Sequence, residues 1–307
     1  MMLTSFFGKS NPINFLLLGV FIMAFCFLTY FLAIDFTFRW DSFIRICITA
    51  VILVFSMLLL DFIIRKNYLN TSNTYAIFIF SCMVAMVPVT KHIGIIIAQF
   101  LLLLALRRIF SMASEKNLEK KILDASLWIL LASYFFFWSI LLFGLLYIAI
   151  LNLTKKPVRY MLIPVTGFFG MILIATAFFF IKDNSFRWIR EFAKPISYDF
   201  TTYGSIDLMV FITFFFSVLI WSIFYRISKL PDIPKKFRNN YLLVVFSATA
   251  SFLITLFSEI KIGTELIFLA APSAITIAGY LEKKGDIWFK ELLLWTFLLL
   301  PIFFLLV

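Results

Sequence analysis

The chain reads as all-α: a polytopic transmembrane helix bundle with about nine full spans plus one short same-side helical hairpin, about 11 membrane helices in all. Three observations lead there. Hydrophobic residues make up 63% of the 307 positions and charged residues only 14%, with 42 phenylalanines and a mean hydropathy of +1.04. The polar residues that remain are too few to cover a water-facing surface. The apolar runs are continuous and of helix length rather than alternating at every second residue, which argues for helices and against a barrel. No polar stretch is long enough to fold alone, so residues 1–307 are expected to form a single integral membrane domain.

Taken in order, Lys9 precedes an apolar run from Ile13 to Ile34. It is longer than a signal-peptide core and is followed by no small-residue cleavage site, so it is expected to stay as the first span. Asp35 to Asp41 is a short break whose Phe36, Phe38 and Trp40 suit the headgroup boundary. A second span, Phe43 to Ile64, returns to Arg65 and Lys66, with Asp61 placed to pair with Arg65 one helical turn on. Thr74–Thr90 and Ile93–Leu106 follow as two shorter spans separated by Lys91 and His92, and a charged connection runs from Arg107 to Asp124.

Ala125 to Leu151 is 27 residues without a charge. One untilted span needs about 20 residues, and two full spans with a turn need far more than 27. The stretch is therefore one long tilted helix or a hairpin, 125–153, that enters and leaves by one face. Beyond it lie Tyr160–Ile181 with Pro164, Gly167 and Gly170, an extracytoplasmic loop at 182–207, Leu208–Ile227, Tyr241–Ser258, Leu266–Tyr280 and Glu291–Val307.

The charge distribution decides between the two middle readings. With the amino terminus in the cytoplasm and a same-side hairpin, Lys9, Arg65–Lys66 and the basic clusters at 107–121, 155–159, 226–238 and 283–290 lie inside. That is 19 of the 27 lysines and arginines, with 8 outside. A single crossing at 125–153 changes the split to 13 and 14. The excess of cytoplasmic lysine and arginine in membrane proteins favours the hairpin. The expected location is the inner, cytoplasmic membrane. Such a basic face also suits anionic lipid, and it gives no support to nucleic-acid binding.

Chemistry is sparse. Cys26, Cys47 and Cys82 lie within apolar runs and read as free thiols, and with a single histidine no protein metal site and no cofactor are expected. The outer face collects Asp35, Asp41 and the 182–207 loop. Within that loop SFRWIREFAK predicts one interfacial helix, with Arg187, Arg190, Glu191 and Lys194 on one face and Phe186, Ile189 and Ala193 on another. Arg187, Arg190 and Lys194 read as a clamp for the phosphate of a lipid-linked substrate, or as snorkelling anchors. Asp35 and Asp41 read as a catalytic base or metal pair, or as caps near span ends. Small and hydroxyl residues at Ser247–Ser251 and Ala270–Ala274 argue close helix packing over a transport path.

SFFGKSNPINFLLLG from Ser5, LDASLWILLASYFFFWSILL from Leu123 and FRWIREF from Phe186 resemble a family of integral membrane proteins of unknown function found in Bacteroidota. A looser similarity is to the GT-C class of membrane glycosyltransferases, which use polyprenyl-phosphate sugars. That likeness implies catalytic roles for outward-facing Asp35 and Asp41, a paired-helix element at the hairpin, and Arg187 and Arg190 near the lipid phosphate. The first outer loop, at about ten residues, is shorter than the class usually carries. Three functions are compatible with the chain. It is expected to be a membrane subunit or scaffold in cell-envelope biogenesis, secretion or motility; alternatively a GT-C-like enzyme; or a small-molecule transporter, against which the apolar span centres weigh. The expected partners are membrane lipids together with a lipid-linked glycan or a protein complex of the cell envelope.

Overall fold

In the computed structural model the described residues are 2–32, 39–89, 92–153, 158–283 and 285–306, and among them there are helices and no strands. The helices are α1 (Leu3–Phe7), α2 (Pro12–Phe31), α3 (Trp40–Asn67), α4 (Tyr75–Met86), α5 (Ile93–Ser111), α6 (Leu118–Phe135), α7 (Leu142–Leu151), α8 (Val158–Asp183), α9 (Arg187–Phe192), α10 (Ile206–Ser228), α11 (Lys235–Leu256), α12 (Ile267–Leu281) and α13 (Ile287–Leu306). Among the described residues eight helical segments are long and apolar enough to cross a membrane, and Tyr75–Met86 and Phe137–Leu151 are shorter apolar helices.

Local chemistry sets several boundaries. Proline at the first position of α2 follows an extended Asn11, the arrangement proline favours because its missing N–H is not needed there. α3 stops at Tyr68, which takes a left-handed conformation (φ 53°) that turns the chain toward α4. The turn before α12 needs Gly263 at φ +90°, where a Cβ would also press on Leu208 and Pro88.

The shortest and most enclosed helices form the centre. Nearly every side chain of α4 is buried, and so is 94% of the Thr264–Leu281 segment. The two pack on one another, with α2, α3, α13, α10 and α11 around them. Small side chains let the backbones approach: Ala270, Ala271, Ser273 and Ala274 are buried, and the Ser273 hydroxyl, which donates to Leu269 O, also reaches Met83 Sδ at 3.4 Å. A helix enclosed by protein need not match the bilayer thickness, so twelve residues suffice for α4.

The long uncharged stretch is broken at Phe136. Its backbone is extended (φ −149°, ψ 103°), its ring is buried against Phe268 at 4.8 Å, and a short 3-10 segment, Phe137–Leu141, leads into α7. Three contacts give the direction of the neighbours. Glu119 pairs with Arg159, Gly167 sits where a Cβ would run into Ser126, and Tyr134 meets Phe179 at 6.1 Å. α8 therefore runs parallel to α6, and the chain between them doubles back. α5 runs antiparallel to α6, with Arg108 on Asp124 at 2.8 Å at one end and Gly94 near Phe135 O at the other. These contacts divide the bundle into a basic end, around the last turns of α3 and α5 and the first turns of α6, α8 and α11, and an aromatic end, around residues 134–138 and 179–192.

Candidate functional site

At the aromatic end, the tip of the α6–α7 hairpin, the last turn of α8 and helix α9 enclose a cavity of about 260 Å³. Its walls are Tyr134, Phe135, Phe137, Phe179, Trp188 and Phe192, and its polar rim is Glu191, Lys194 and Glu259. α9 is held there by rings: Trp188 stacks on Phe179 (5.7 Å, 18°), while Phe192 meets Phe137 edge-on at 5.3 Å. Trp188 and Phe192 are one helical turn apart, so the same face carries both.

This differs from the face the charge spacing predicts. α9 ends at Phe192, leaving Lys194 beyond it, and Phe186 and Ile189 are exposed at 58% and 53%. Large aromatic rings bury more area than Ile and gain specific ring contacts, so the tryptophan edge takes the protein-facing position. Arg187 and Arg190 are exposed. Of the three basic residues expected to form a clamp, only Lys194 lines the cavity. Asp41 is exposed in the first turn of α3, whose main neighbours are α2, α4 and α5. Asp35 lies outside the described residues. Among the described residues no group of three His, Cys, Asp or Glu side chains is placed to hold a metal ion.

The rim is electrostatically coupled. Burial raises the Glu259 carboxyl above its ordinary range, while Lys194 and His92 pull it back. Two indole N–H groups, on Trp138 and Trp188, and the Ser139 hydroxyl are buried without a partner among the described residues. Donors left this way face a free-energy cost that a bound acceptor would remove. The site thus offers flat apolar faces, two carboxylate acceptors, an ammonium donor and the spare Trp188 indole N–H in one concavity, with Trp138 and Ser139 outside its lining.

Beside it, the 257–265 turn is closed tightly. Glu265 is fully buried and accepts from the Tyr203 hydroxyl and from Ile262 N at 3.3 Å. Lys261 donates to Leu256 O at 2.8 Å and lies over the Phe200 ring at 4.8 Å. Burial raises the Tyr203 hydroxyl pKa, and the neighbouring Glu265 adds to it. A larger opening, about 520 Å³, lies between Thr29, Pro88, Thr202, Ser205 and Phe304 and has no ionisable side chain among the described residues of its lining.

The sequence pattern pointed to arginines and aspartates and passed over the rings. The usable signal was the run Tyr134–Trp138 together with Trp188 and Phe192 at helical spacing. Arg226, counted only as a loop charge, is 2% exposed and bonded wholly within the bundle.

Eight membrane-length apolar helices among the described residues, packed on a shared buried apolar core, make this a multi-pass α-helical membrane protein. Within that class the chain belongs to a Family of unknown function (DUF6427), matched over residues 2–307. No curated protein and no solved structure matches it.

Proposed function

We propose that this protein is a membrane subunit or scaffold in cell-envelope biogenesis, secretion or motility, and that its aromatic cavity holds the saccharide part of a lipid-linked glycan. The observation that carries this reading is the cavity. Stacked rings with two carboxylates and a lysine at the rim suit a ligand with apolar C–H faces and a girdle of hydroxyls. The basic clusters at the opposite end support an inner-membrane orientation with that end and the amino terminus in the cytoplasm, so that the cavity opens outward. The 125–153 hairpin then dips into the membrane from the cytoplasmic side, and 182–207 is an extracytoplasmic loop closing over the hairpin tip.

A GT-C-like transferase using a polyprenyl-phosphate sugar is the second reading, favoured by exposed Asp41 and by exposed Arg187 and Arg190 near the Lys194 rim. Transport finds less support: Ser247, Ser273 and Thr276, deep in α11 and α12, donate their hydroxyls to carbonyls of their own helices.

Native mass spectrometry of protein gently extracted from its own membrane tests the proposal. A glycolipid adduct on the wild type that is lost in W188A/F192A supports it. An identical adduct on both refutes it. Sugar transfer abolished by D41N at unchanged abundance would move the assignment to the transferase.

A further inference from the structure

The opposite end of the bundle carries a second cavity, of about 420 Å³, into which cations converge from four separate helices. Lys66 comes from the last turn of α3, Arg108 from the last turn of α5, Lys121 from the first turn of α6 and Lys236 from the first turn of α11. Ordinary insertion signals explain basic residues scattered on loops. They do not explain four brought to one concavity, where each repels the others.

The neutralisation is incomplete. Arg108 is paired with Asp124, and Lys121 donates to Ser111 O and Ser114 Oγ at 2.6 and 2.7 Å. Lys66 and Lys236 have no carboxylate at ion-pair distance among the described residues. Their ammonium groups lie over Phe62 and Phe237, at 5.1 and 5.5 Å. A second observation is independent of charge. Asn240 lines the same cavity and is 5% exposed; its Nδ2 donates to Phe110 O at 3.1 Å, and its Oδ1 is buried with no partner among the described residues. A buried acceptor in that position calls for a donor from a ligand.

We propose that this cavity is a binding site for a phosphate group carried by a molecule with a hydroxyl or amine donor, the phosphate meeting Lys66, Lys236 and Arg108 and the donor meeting Asn240. Phosphate fits the geometry because its oxygens diverge, so that it can accept from cations arriving on several sides, whereas a planar carboxylate is best met from one. Two sources have this chemistry: the headgroup of an anionic phospholipid in the leaflet at this end, and a soluble phosphomonoester.

The test uses the full-length protein, wild type and K66Q/K236Q, with K66R/K236R as the charge-retaining control. Both lysines are exposed, so folding is retained, and a melting curve checks it. One arm reconstitutes the protein in nanodiscs of phosphatidylcholine mixed with phosphatidylglycerol and counts retained phosphatidylglycerol after release into detergent. The other titrates glycerol phosphate onto delipidated protein. The proposal expects one retained lipid or one bound glycerol phosphate on the wild type, weakened roughly tenfold or more in the glutamine variant and kept by the arginine variant. Retention of lipid alone identifies the leaflet as the source, and binding of glycerol phosphate alone identifies a soluble one. Equal binding by wild type and K66Q/K236Q, or no binding by the wild type in either arm, overturns it.

Discussion

Arg226→Met isolates what a fully buried cation does for this bundle. Methionine keeps an unbranched apolar stem and removes the guanidinium. In the native protein Nε donates to Tyr241 O at 3.2 Å, Nη2 to Leu69 O at 3.4 Å and Nη1 to Asn70 Oδ1 at 3.5 Å, and the guanidinium lies 3.9 Å from the centre of the Tyr241 ring. Tyr241 O is inside α11 and keeps its helical partner, so two oxygens lose their donor: Leu69 O and Asn70 Oδ1. The buried Leu69 O costs about 3 kcal/mol and the half-buried Asn70 Oδ1 about 1 kcal/mol, and the desolvated stacking contributes about 2 kcal/mol more. Against that loss of about 6 kcal/mol, removing the guanidinium relieves about 3–4 kcal/mol of charge burial. The net is a destabilisation of about 2–3 kcal/mol. In a chain of this size that lowers the melting temperature by about 3–5 °C, measurable by size-exclusion thermal shift in detergent. Hydrogen exchange should rise selectively in residues 68–74, the connection these bonds pin. Arg226→Lys should fall between, since an ammonium cannot serve divergent acceptors and stack at once. A melting temperature within about one degree of wild type for Arg226→Met would refute the reasoning, because orphaned oxygens would then carry no cost.

Tyr203→Phe removes one of two donors from the buried Glu265, so a loss of about 1.5–3 kcal/mol is expected, read as a lower melting temperature with greater exchange across 197–205. Glu282, just past the end of α12, accepts from Thr71 N and Asn73 Nδ2 at 2.9 and 2.6 Å, yet burial raises its carboxyl above the ordinary value of 4.5. The folded protein holds that proton more tightly than the unfolded chain. Its stabilisation is therefore complete below pH 4.5 and lost as pH rises through the raised folded value. In E282Q that part of the pH dependence of melting should disappear; an unchanged profile would exclude Glu282 as its source. Single cysteines at exposed Ser114 and Asn152, in a background lacking Cys26, Cys47 and Cys82, should label from the same side of the membrane; labelling from opposite sides would rule out the hairpin.

What the sequence determined by itself was the solvent and the helical bundle, although of about nine full spans expected eight segments among the described residues are of membrane length, α4 being short. Apolar runs of membrane length leave the backbone no stable option but helix, and that constraint acts within each segment, so it is legible without knowing any neighbour. The Asp61–Arg65 pair, at 2.6 Å, is of the same kind, one turn apart on one helix. Which faces meet depends on side chains distant in sequence, and there the tertiary structure decided. A Phe-rich chain has no polar stripe to mark its buried side, so nothing local distinguished the enclosed α4 and α12 from α8, of which only 11% is buried. The same reason hid the sites. Trp188 acquires its role from Phe179 and Phe192, and Lys66 from Lys121 and Lys236. Arg226 differs from every other arginine among the described residues only because Leu69, Asn70 and Tyr241 close around it.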